Sequence, residues 1–142
     1  MNEKLLQFLT RIDSLTPDHK AKYGKMNVHQ MVCHCTDFYR MASEELTLTE
    51  TPKLSKEEVL ILAKERKTVP APKDINQVAG KGTRPNNFQN DIRLLKEKMT
   101  LFFNSPKKVE FPPNFYFGLL TRAQWNETSN YHLHHYLRQF NA

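Results

Sequence analysis

The stretch NYHLHHYLRQF, residues 130–140, places His132, His134 and His135 within four consecutive positions, and QMVCHC sets His34 between two cysteines. Neutral imidazole is a ligand for zinc, nickel, iron or copper. One ligand from His34 and two from the terminal stretch would make a three-histidine centre with open positions for water or substrate. A divalent ion held there lowers the pKa of a coordinated water or thiol, so that the anion attacks an electrophile near neutral pH. In that chemistry Tyr136 would donate a hydrogen bond to the developing charge and Gln139 would orient substrate. Arg40 or Arg138 would attract an anionic cosubstrate. The alternative is structural: His34 as a hydrogen-bonded packing residue and HLHH as an exposed polar surface. His19 falls in a loop and His29 beside a helix N-cap, so both are expected to serve local structure or face solvent.

These side chains must be carried by helices, because the apolar residues recur at helical spacing and almost nowhere alternate with period two. Leu5, Leu6, Leu9 and Ile12 mark a first helix over about Glu3 to Leu15, stopped by Pro17. Val28, Met31, Val32, Cys35, Phe38, Tyr39 and Ala42 mark a second, capped by Asn27 and continuing to about Leu46. Ser55 and Glu58 form a capping box for a third, to about Lys67, and Thr121 with Gln124 forms another for the last, about Arg122 to Phe140. Between them a helix over about Asn87 to Phe103 presents Phe88, Ile92, Leu95, Met99 and Phe102 or Phe103 on one side. TVPAPKDINQVAGKGTRP reads as a long irregular crossover, of a kind that packs over an opening or carries function. VEFPPNFYFGLL, broken by Pro112, Pro113 and Gly118, reads as a buried extended loop.

On the last helix Leu133, Leu137 and Phe140 face inward, with Trp125, His132, Tyr136 and Gln139 along one flank, His135 further round and His134 on the other side. His34 borders the core on the second helix. The expected architecture is all-α: a single-domain, antiparallel helical bundle over residues 1–142 with an additional short helix and long crossover loops.

Composition narrows the function classes. A chain of 142 residues, 39% hydrophobic, suffices for a core without disulfides. Cys33 and Cys35 point about 200° apart on a helix, too divergent to pair, and His34 lies on a different face from either thiol, which disfavours a cysteine–histidine nucleophile. No apolar run approaches a membrane span and the first residues lack the pattern of a signal peptide, so a cytoplasmic protein is expected. The net charge of +6 is spread along the chain, which makes a nucleic-acid partner the weaker expectation.

Four blocks, GKMNVHQMVCHCTDFYRMA, GTRPNNFQNDIRLL, FPPNFYFGLLTRAQW and YHLHHYLRQFNA, resemble in that order a branch of the DinB-like superfamily that lacks an assigned function. The resemblance implies a four-helix bundle with up-down-down-up connections, a homodimer, and a histidine triad holding a divalent metal, zinc or nickel foremost. Characterised relatives include transferases that use low-molecular-weight thiols, so a small-molecule thiol cosubstrate is implied, and thiol-dependent transfer or hydrolysis as the activity. Other relatives are known only as stress proteins. Carried over, the first ligand is His34 and the second His132. The third departs: relatives carry a histidine four residues after His132, where this chain has Tyr136, and His135 is the substitute. A non-catalytic dimeric bundle that has lost a full metal site is the alternative.

Overall fold

The computed structural model describes residues 2–142. It contains five α-helices: α1 (Glu3–Asp13), α2 (Val28–Ala42), α3 (Lys56–Lys64), α4 (Phe88–Phe103) and α5 (Arg122–Gln139). Among the described residues there is no strand, only a single bridge between Asn114 and Gly118. None of the helices is long and apolar enough to cross a membrane.

Each helix starts where a side chain satisfies the first backbone N–H groups. Asn2 accepts from Lys4 and Leu5, and Asn87 from Asn90. Reciprocal capping boxes open α2 (Asn27 with Gln30), α3 (Ser55 with Glu58) and α5 (Thr121 with Gln124). The helices end two to four residues earlier than expected from the sequence in α1, α2 and α3. In α2, α3 and α5 the stop is a left-handed residue, Glu44, Arg66 and Asn141, none of them glycine. The following N–H then reaches back to Arg40, Leu62 and Leu137, the paired closing bonds of a Schellman end.

Packing gathers α1, α2, α4 and α5. The most extensive contact is between α2 and α4; α1 also meets α4 and α5, and α2 meets α5, closing a ring of four around one hydrophobic cluster. From α1 the buried positions are Leu5, Phe8 and Ile12, three and four apart, while Leu6 is exposed and lies outside the stripe. From α4 they are Phe88, Ile92, Leu95, Met99 and Phe102. Inside this cluster Tyr39 Oη and Ser129 Oγ share a hydrogen bond of 2.8 Å between α2 and α5. Tyr39→Phe is expected to lower stability by about 1 kcal/mol, read by urea denaturation, because it leaves the fully buried Ser129 hydroxyl without its partner.

The crossover after α3 is not featureless. It folds into two 3₁₀ turns, Lys73–Ile75 and Gln77–Ala79. It is anchored on Asp37, a fully buried carboxylate of α2 that accepts from the Thr83 amide (3.1 Å), the Thr83 hydroxyl (2.6 Å) and Gln77 Nε2 (3.3 Å). The segment from Val109 to Leu120 is half-buried to exposed instead of buried, because its prolines and its tight Asn114–Gly118 bridge lay it over the outside of the core.

Candidate functional site

The side chains of α2 and α5 that border the core meet. The His34 and His132 ring centroids lie 5.1 Å apart, and the Tyr136 ring lies 4.6 Å from His34 and 4.8 Å from His132. Phe38, one turn after His34, stacks on the His132 ring at 4.8 Å and fixes its plane. Above these rings opens a cavity of about 590 Å³, a volume suited to a small molecule. Its walls come from irregular segments, Leu46 to Leu48, Val69 to Pro72 and Pro112 to Phe117, with Val59 and Leu60 of α3 and Tyr131 of α5.

The electrostatics follow from burial. Desolvation, with His135 as a smaller cause, pushes His34 down to about 4. Desolvation first, then His34 and His135, holds His132 well below the ordinary histidine range. Both rings are therefore neutral at pH 7, the form that offers a lone pair to a metal or a proton. The Nδ1 atom of each is buried without a hydrogen-bond partner among the described residues. Such an atom costs about 1–3 kcal/mol in a packed interior, and it recurs where a site is built for a ligand. Burial keeps the Tyr136 phenol protonated far above neutrality. The charged side chains in the lining are Glu44 and Glu127, with no lysine or arginine among the described residues there.

No protein-family model, curated protein or solved structure matches this chain.

His135 does not reach the cavity. It packs behind Tyr136, edge-on at 4.9 Å, and stacks on Tyr131 at 5.9 Å. Its nitrogens do not converge with those of His34 and His132: among the described residues, the group of three metal-ligating side chains within 4.8 Å of one another is a different one. Spacing alone had placed His135 and His132 on neighbouring faces; the intervening Tyr136 ring separates them. Gln139 is also outside the lining. It is fully buried and its side-chain Nε2 donates to the Tyr23 carbonyl at 2.6 Å, while its backbone carbonyl accepts from the Lys22 amide at 2.8 Å. It therefore clamps the loop before α2, and Gly24, with φ of +85°, is where that loop passes too close to Gln139 for a Cβ. Arg40 donates to Thr83 Oγ1 and lies 3.9 Å from Asp37, and Arg138 is likewise outside the cavity wall, so neither awaits an anion there. His134 points to the far side, as its position predicts, against Arg11 at 3.0 Å.

The other group is His29, Cys33 and Asp91, whose ligand atoms lie within 4.8 Å of one another and which could hold a metal ion. His29 is half-buried and bonded through Nε2 to Asp91 Oδ2 at 2.6 Å, instead of facing solvent. The four-residue spacing of His29 and Cys33 on α2 was the available signal; the partner on α4 had no local one.

Proposed function

We propose that the cavity is the reaction site of a divalent-metal-dependent enzyme acting on a small, largely apolar molecule, by thiol-dependent transfer or hydrolysis, with His34 and His132 as metal ligands. The observation that carries this reading is the meeting of two neutral, buried imidazoles from different helices at the floor of a ligand-sized cavity, each with an unpartnered ring nitrogen. The resemblance of four sequence blocks to the DinB-like superfamily, and an adjacency in which α1, α2, α4 and α5 close a ring, support it. Zinc and nickel suit the imidazole donors.

The donor set fits such an ion in part. Two imidazoles stand ready, and the remaining positions would fall to water or substrate, because burial keeps the Tyr136 phenol protonated and a poor ligand; a third imidazole from His135 requires Tyr136 to move aside. A bound divalent ion would supply a Lewis acid that makes a coordinated water or thiol nucleophilic near pH 7. Tyr136, held protonated by burial, donates a hydrogen bond to the charge that develops. Phe38, Trp125 and the apolar walls hold the body of the substrate and exclude water.

A second reading rests on Tyr136, whose ring stands among the three histidines: a dimeric bundle that binds an apolar ligand without catalysis. Metal titration of tag-free protein separates the two. A zinc or nickel site filled to a hundred times its dissociation constant raises stability by about 2.7 kcal/mol. A variant carrying His34→Ala and His132→Ala is expected to bind one equivalent fewer by equilibrium dialysis and to lose that share of the shift. Equal binding by variant and wild type would leave the non-catalytic reading.

A further inference from the structure

We propose that His29, Cys33 and Asp91 form a second transition-metal site, of zinc type, that fastens α2 to α4 and is independent of the cavity. An imidazole nitrogen, a thiol sulfur and a carboxylate oxygen, all within 4.8 Å of one another, are the donor types zinc takes. Tetrahedral zinc sets its ligands roughly 3.5 Å apart, so the three need only small side-chain movements to close on an ion. His29 and Cys33 are one helical turn apart on a single face of α2. Asp91 comes from the first turn of α4, across the most extensive helix contact in the fold.

Two further features distinguish the group from an ordinary histidine–aspartate bond. The Cys33 side chain is 1% exposed and has no hydrogen-bond partner among the described residues, so the bond between His29 and Asp91 leaves it idle. The outer parts of the group are already oriented: the Asn86 amide donates to Asp91 Oδ2 at 2.9 Å, and Phe88 meets the His29 ring edge-on at 5.3 Å. The His29 and Asp91 side chains are 23% and 13% exposed, which leaves an entry path and a place for a water as fourth ligand. On binding, the Cys33 thiol proton leaves to solvent. The Nε2 atom of His29 exchanges its bond to Asp91 for the ion, any proton on it passing to Nδ1 or to solvent.

Cobalt(II) is the probe, because a thiolate on cobalt gives a near-ultraviolet charge-transfer band that histidine and carboxylate ligands do not. Titrating tag-free protein in a non-chelating buffer is expected to develop that band to one equivalent. Cys33→Ser should abolish it, and Asp91→Asn should weaken the affinity at least tenfold with helical circular dichroism unchanged. The variant with His34→Ala and His132→Ala should keep the band. Absence of the band at saturating cobalt, its persistence in Cys33→Ser, or its loss in the cavity variant would each overturn the proposal. Because the cavity holds no thiol in its lining, one equivalent lost only in the cavity variant would uphold the reading of the cavity while this site failed.

Discussion

Lowering the pH from 7 to 4 is expected to remove roughly 3 kcal/mol of stability from the metal-free protein through His34 alone, with His132 adding in the same direction. Burial disfavours the charged imidazole, so the folded-state value of His34 lies near 4, below the ordinary 6.5. Between those values the unfolded chain takes up a proton that the folded chain refuses, which pulls the equilibrium toward unfolding. The contribution is complete above pH 6.5, erodes as the pH falls and is exhausted below about 4. Urea denaturation at pH 7, 5.5 and 4 checks it: His34→Gln should flatten the dependence over that interval. A wild type no steeper than this variant would contradict the burial of a neutral imidazole.

Asp37→Ala is expected to cost about 2–4 kcal/mol and to release the segment from Asn76 to Thr83. The carboxylate is fully buried and its oxygens take three donors, from Thr83 and Gln77, with Arg40 at 3.9 Å. Alanine leaves the donors unanswered. Desolvation, the largest influence on Asp37, raises its pKa, so the buried charge carries its own penalty; removing it recovers part of the loss and holds the net below the sum of three hydrogen bonds. Asparagine is no remedy, since its amide would turn a donor toward donors. Denaturation gives the stability, and limited proteolysis should find new cleavage between Asn76 and Thr83. Gly82→Ala should weaken the same anchor, because a Cβ there meets Asp37 Oδ2 and φ is +79°. An Asp37→Ala protein as stable and as resistant as wild type would show that the carboxylate does not hold the crossover.

Much of this architecture is written in local sequence. Apolar residues at three- and four-residue spacing locate α1, α2, α4 and α5, while α3 is marked by its Ser55–Glu58 capping box; that box and Thr121–Gln124 are starts that the structure reproduces as reciprocal caps. The stops are less legible, because Glu44, Arg66 and Asn141 take a left-handed conformation usually signalled by glycine. Helical phase also brings His34 and His132 together across α2 and α5. It fails for Gln139 and His135, where a flank position says nothing about which neighbour covers it: the loop at Tyr23 takes Gln139, and Tyr136 screens His135. Asp37 and Asp91 were beyond such reasoning, since a carboxylate in a helical pattern looks like surface until its partners, 46 and 62 residues away, are known.

The glutamate-only charge of the cavity wall sets a direction of traffic on a chain that is otherwise basic. Both carboxylates are exposed, so they bias the cavity toward uncharged or cationic guests over anionic ones at low salt. A turnover that converts a neutral compound into a carboxylate would thereby ease the departure of its own product.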